Sequence, residues 1–134
     1  MATIANQAHI NRGADEVWRV VADFGGIASW CPAITWSHVE GENRRCCFDG
    51  REVVEQLVMS DHSLRRLQYR IVEGPLVPAK HLATVDVVAE GDASLLRYQT
   101  EVEPDELAPL FDPRIAELAS ALKAHLEASG TESG

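Results

Sequence analysis

Between Arg51 and Val72 the sequence forms two alternating runs joined by a polar turn at Asp61–Ser63. In the second run Leu67, Tyr69 and Ile71 share one side and Gln68 and Arg70 the other, the two-residue period of a half-buried strand. In the first run Val53, Leu57 and Met59 share a side, and Glu55 sits among them. Burying a carboxylate in a tight apolar core costs roughly several kcal/mol unless it is paired or neutralised. A strand face that lines a pocket containing water or a polar ligand avoids that cost. The hairpin is therefore read as the floor of a pocket, with Glu55 pointing in, and the rest of the chain must close over it.

The flanking segments supply the means. Thr3 to Asn11 alternates weakly and reads as a first strand, which Gly13 breaks. Ala14 to Asp23 places Val17, Val20 and Val21 at helical spacing, with acids in the first turn where the helix dipole favours them. Gly25-Gly26 ends that helix, and a second short helix, Ile27 to Trp30, stops against Cys31-Pro32 because proline forbids continuation. Ile34, Trp36 and His38 then alternate with Thr35, Ser37 and Val39 as a second strand, with Arg44 to Phe48 as a third. Asp49-Gly50 is a hairpin signal that leads into the central pair.

Beyond Ile71, the segment Gly74–Ala79 has two prolines, so it is a loop, yet Leu76 and Val77 are apolar; it reads as a lid over the pocket mouth. His81, Ala83, Val85 and Val87 give one face of a further strand, Gly91-Asp92 turns the chain, and Leu96, Tyr98, Thr100 and Val102 face inward from the last strand. Pro104 opens a helical region whose stripe runs through Leu107, Leu110, Phe111, Ile115, Leu118, Leu122 and Leu126. Pro113 is expected to mark the change from a looser first turn to the regular helix, Asp112 to Ala128. The order predicts an α+β fold: a curved antiparallel sheet of about seven strands wrapped on a long C-terminal helix, with two short helices after the first strand and an internal cavity. Residues 1–128 are expected to form a single domain and 129–134 a disordered tail.

A formal net charge of −9 argues against nucleic acid and anionic membrane as partners. Three cysteines, Cys31, Cys46 and Cys47, are odd in number and two are adjacent, which is no disulfide framework. With no charged-then-apolar leader and no apolar run of membrane length, a soluble cytoplasmic protein is expected, as a monomer or homodimer.

The stretch INRGADEVWRVVADFGGIASWCP resembles the opening of the START-like, birch-pollen-allergen-like (SRPBCC) superfamily in its polyketide cyclase/dehydrase and lipid-transport branch. Its marks are Val17-Trp18, Asp23-Phe24-Gly25, Trp30 and Pro32. Arg44-Arg45, Asp49-Gly50, Glu55-Gln56-Leu57, Asp61, Leu67-Gln68-Tyr69 and the strand His81 to Val87 follow in the order of that branch. The similarity spans residues 4 to about 126. The resemblance implies a helix-grip fold with a deep cavity between sheet and C-terminal helix. Members include aromatic polyketide cyclases, alkaloid-forming enzymes, lipid carriers and plant hormone receptors. Two departures stand out. His81 replaces the tyrosine that usually starts its strand, and the tight Asp49-Gly50 turn replaces the receptors' longer gate, which moves the lid role to Gly74–Ala79.

By alternation the inward face presents Trp36, His38, Cys46, Phe48, Glu55, Tyr69, His81 and Tyr98. One carboxylate, two imidazoles and two phenols on an apolar background suit proton transfer, with Glu55, His38, His81 and Tyr69 as the catalytic candidates. A desolvated Glu55 would be a weaker acid than usual, and histidines titrate near neutrality unaided. The competing reading has Glu55 paired with a cation such as Arg44 or a histidine, tying strands together. Leu57, Leu67, Ile71 and Ala83 from the strands are expected to line the ligand space with Trp36, Phe48, Cys46 and Tyr98. Leu76 and Val77 would join them from the loop, and Phe111, Ile115 and Leu118 from the helix. Trp18 and Trp30 read as packing residues. No spacing resembles a metal site and no glycine loop cradles a phosphate, so neither metal nor cofactor is expected. Two classes of function remain: a cyclase, aromatase or dehydratase acting on an apolar oxygenated molecule, or a carrier or sensor of a hydrophobic small molecule or lipid.

Overall fold

The seven strands form one antiparallel sheet in the order β1-β7-β6-β5-β4-β3-β2, so the first two strands of the chain are its opposite edges. The computed structural model describes residues 1–131. The strands are β1 (Ala2–Ile10), β2 (Ile34–Glu40), β3 (Asn43–Phe48), β4 (Arg51–Asp61), β5 (Arg66–Glu73), β6 (Lys80–Glu90) and β7 (Ala93–Glu103). From β2 to β7 the sheet is a meander of hairpins, and β1 then pairs with β7 from Ala2 opposite Val102 to Ile10 opposite Ser94. At the β3–β4 turn Asp49 and Gly50 both take positive φ, 50° and 82°, the geometry that matches the twist of a two-residue hairpin and that Asp-Gly adopts readily. The β4–β5 turn is closed by Asp61, whose Oδ1 accepts from the Ser63 and Leu64 amides at 2.9 and 3.1 Å.

The connection from one edge of the sheet to the other runs through helix α1 (Ala14–Ala22) and a 3-10 helix (Phe24–Ser29), which replaces the expected second helix at Ile27–Trp30. Helix α1 buries Ala14, Val17, Trp18 and Val21 and carries Asp15 and Glu16 in its first turn and Arg19 in its last, in accord with its dipole. The 3-10 helix lies so close to β2 that a Cβ on Gly25 would approach the Val39 side chain to 2.5 Å. Ser37 fastens it there: its hydroxyl donates to the Gly25 carbonyl at 2.7 Å and accepts the Ala28 amide at 3.1 Å.

Helix α2 (Ala108–Thr131) follows a short 3-10 turn (Asp105–Leu107). It begins earlier than the expected Asp112, and Pro113 lies inside it. It also runs through Thr131, into the segment expected to be a disordered tail; residues 132–134 lie outside the described residues. The helix buries Phe111, Ile115, Leu118, Ala119, Leu122 and Leu126 and packs chiefly on β1 and β7. A curved sheet gripping one long helix is the helix-grip architecture that the resemblance implies. The helix covers one side of the concave face, and the stretch in front of β3 to β6 is left for a pocket. Among the described residues no helix is long and apolar enough to cross a membrane.

Candidate functional site

A pocket of about 420 Å3 lies between β3, β4, β5, β6 and the first half of α2. Tyr69, Phe111, Ile115 and Leu118 form its buried part; Arg51, Pro75, Leu76, Leu110 and Arg114 are exposed at its mouth. Phe48, Val53, Glu55, Ile71 and His81 complete the lining.

Behind the lining lies Arg44, an inward residue of β3 opposite Glu55 of β4 in the strand register, which backs the polar floor. Its Nε donates to Glu55 Oε1 at 2.7 Å and one Nη to the Phe24 carbonyl at 3.0 Å. The guanidinium lies 4.2 Å from the centre of the Phe24 ring and 4.7 Å from that of Tyr69, the geometry of cation–π contact. Desolvation is the largest influence and opposes the charge on Arg44, but the charge and hydrogen bond of Glu55 together with the neighbouring Tyr69 and Tyr98 outweigh it and hold the group above its ordinary range. Tyr69 and Tyr98 hydrogen-bond to one another through their hydroxyls. Burial pushes both phenols up, so they stay protonated at neutral pH.

His81 owes its state to the sheet. Strands β5 and β6 pair only from Arg66 to Tyr69 and then part, which frees the Ile71 amide. His81 Nδ1 captures that N–H at 3.0 Å. An amide can only donate, so Nδ1 must keep its lone pair and the neutral ring carries its proton on Nε2. Burial pushes the imidazole down to about 4. His81 is thus a fixed N–H donor on the pocket wall at neutral pH and not the near-neutral titrating group expected.

The structure brings Glu55, Tyr69, His81, Phe48, Ile71, Leu76, Phe111, Ile115 and Leu118 together around this pocket. It does not bring Trp36 and His38 there. A bulge between Ile34 and Ser37 shifts the β2 phase, because Ser37 must face inward to fasten the 3-10 helix. Trp36 and His38 consequently stack on each other on the outer face, where His38 Nε2 meets Glu40 at 2.8 Å. Val77 is exposed outside the pocket lining, unlike its neighbour Leu76. Ala83 and Cys46 belong to the packed core and the half-buried Leu57 packs against it; burial pushes the Cys46 thiol up to about 12, which makes it an inert small hydrophobe. Leu67 and Tyr98 border a void of about 10 Å3 shared with Arg44 and Tyr69, apart from the main pocket.

Arg51, Arg114 and Leu110 are lining residues beyond those expected, while Val53 and Pro75 belong to the expected floor strand and lid loop. Arg51 was legible, since it alternates in phase with Val53 and Glu55. Arg114 was not, since an exposed arginine on a helix looks like any solvated side chain. Among the described residues no group of three or more His, Cys, Asp or Glu side chains is placed to hold a metal.

A curved sheet gripping one helix around an apolar pocket with a polar floor defines a START-like domain. Residues 1–131 match the family described as polyketide cyclase / dehydrase and lipid transport, and the chain belongs to that family. No curated protein matches it in sequence. Among solved structures, a Thermobifida fusca protein determined by solution NMR is 27% identical over 98% of this chain and 95% of its own, with a TM-score of 0.82. A START superfamily protein from Mycobacterium smegmatis is 17% identical over 94% of this chain and 97% of its own, with a TM-score of 0.78. The Zhui aromatase/cyclase from Streptomyces sp. R1128 is 17% identical over 99% of this chain and 98% of its own, with a TM-score of 0.82. The last two likenesses are of fold alone.

Proposed function

We propose that this protein is a cofactor-free enzyme of the cyclase, aromatase or dehydratase kind, acting on an apolar, oxygenated small molecule held in the pocket. The observation that carries the reading is the presence, on one largely apolar lining, of the Glu55 carboxylate and the fixed Nε2–H of His81. A substrate ketone that accepts from His81 Nε2–H becomes more acidic at its α-carbon, and Glu55 takes that proton as the C–H bond breaks. The resulting enolate attacks a second carbonyl of the folded substrate, forming a carbon–carbon bond. The proton on Glu55 passes to the new alkoxide, and loss of water from that β-hydroxy ketone gives the unsaturated ring. Arg44 and Tyr69 act as positioning residues that fix the carboxylate and shape the floor. Much of the rate comes from holding the flexible substrate in a reactive fold and excluding water. The family and the fold shared with an aromatase/cyclase support this reading.

One observation favours a second reading, a carrier of hydrophobic molecules: Glu55 is already bonded to Arg44 and Tyr69 to Tyr98. The two separate on incubation with a linear β-polyketo thioester, which cyclises slowly and in several ways by itself. An enzyme accelerates one ring closure, and Glu55→Gln and His81→Phe each abolish the acceleration. Binding with no change in product rate or distribution leaves the carrier reading in possession.

A further inference from the structure

From the placement of Arg51 and Arg114 around Phe48 at the mouth of the pocket, we infer a subsite for an oxyanion, a carboxylate or a phosphate, at the outer end of the apolar ligand. This inference rests on the pocket being the ligand site. Arg51 is the strand partner of Phe48, and the Arg114 guanidinium lies 4.5 Å from the centre of the Phe48 ring. All three side chains line the pocket. Two cationic groups from different elements therefore flank one buried aromatic residue of the lining.

Neither arginine holds a close carboxylate partner. The chain has 21 acidic residues against 12 Lys and Arg, so carboxylates are plentiful. Arg44, Arg45, Arg65 and Arg66 each hold one or more of them within 3.5 Å. Arg51 has no ion pair or side-chain hydrogen bond among the described residues, and Arg114 reaches only Asp49, at 4.0 Å. Among the described residues Arg12, Arg19, Arg70, Lys80 and Arg97 also hold no carboxylate within 3.5 Å, but none of them lines the pocket. The planar guanidinium fork matches carboxylate and phosphate oxygens in a way a single ammonium does not. The ring beneath Arg114 holds its fork in place before any ligand arrives. An amphiphile would thus lie with its apolar body over Ile115 and Leu118 and its charge between the two arginines. Asp49 is the resident competitor for Arg114.

Calorimetric titration with decanoate, decyl phosphate and 1-decanol tests this, since the three share an alkyl chain and differ in the head. At least one anion should bind more tightly than the alcohol by about tenfold, with Arg51→Gln and Arg114→Gln each removing about threefold of that preference. Whichever anion gains more identifies the oxyanion as carboxylate or phosphate. Added salt should narrow the gap, because an exposed rim is screened. Asp49→Asn should strengthen anion binding, a gain that no loss of folding imitates, and Arg97→Gln should leave all three affinities alone. Equal binding of the alcohol and both anions, or an anion preference that survives loss of both arginines, overturns the inference and leaves the pocket reading intact. Binding of none of the three overturns both.

Discussion

Glu55→Gln tests the floor of the pocket most directly. The substitution keeps an oxygen to accept from Arg44 Nε but removes the charge that faces it at 2.7 Å, where the two side chains are only 4% and 12% exposed. Breaking a buried pair by removing one partner costs about 3–5 kcal/mol, because the other charge is stranded. Here Arg44 keeps its bond to the Phe24 carbonyl and its two ring contacts, which offset part of that loss. The expected cost is therefore about 2–3 kcal/mol, or a fall in Tm of about 6–12 °C for a domain of this size. Urea denaturation and calorimetry at pH 7 measure it. Adding Arg44→Met removes the stranded charge, so the double variant should recover most of the loss, with a coupling energy of about 2 kcal/mol. It should not recover cyclisation, which needs the carboxylate. A Gln variant as stable as its parent, or a double variant whose losses merely add, refutes the account of this ion pair.

Three further outcomes follow from the same geometry. The folded His81 sits at about 4, below its ordinary 6.5, so on acidification the unfolded chain takes up the proton first. Its contribution is complete above about pH 6.5 and is lost as pH falls toward about 4, a change of about 3 kcal/mol that His81→Gln should abolish in urea titrations across that range. Leu122 is 1% exposed in the closed core, so Leu122→Ala should cost about 3–5 kcal/mol, whereas Leu118→Ala, which enlarges an existing pocket, should cost about 2 kcal/mol by the same measurement. Leu76→Ser should weaken ligand binding with little change in Tm, whereas Val77→Ser, outside the lining, should change neither.

Alternation and turn chemistry made the sheet legible, because a strand with one covered face must write its period into the sequence. Asp49-Gly50 marked its hairpin, and Glu55 declared itself by standing in phase with Val53. The β2 face was misread for a physical reason: one bulge reverses every side chain beyond it, and the hydroxyl that calls for the bulge, Ser37, answers a loop far away in sequence. The tautomer of His81 was hidden because it depends on where two strands stop pairing, which neither strand's own residues specify. The stripe of α2 told that the helix was covered, but not that it would sit over β1 and β7 and leave the other side of the concave face open.

The pairing of β1 with β7 has a consequence for synthesis. A ribosome adds about 5–20 residues per second, so β7 emerges about 5–20 s after the strand it must hold. During that interval the hairpins from β2 to β6 can form from neighbours in sequence, while residues 2–10 have nothing to bind. Closure then joins the first and last strands at the largest sequence separation in the sheet, which makes it the step with the greatest loop entropy to overcome. The nascent domain therefore carries an unpaired first strand until its seventh has emerged, and the last strand to be made is the one that gives the first its place.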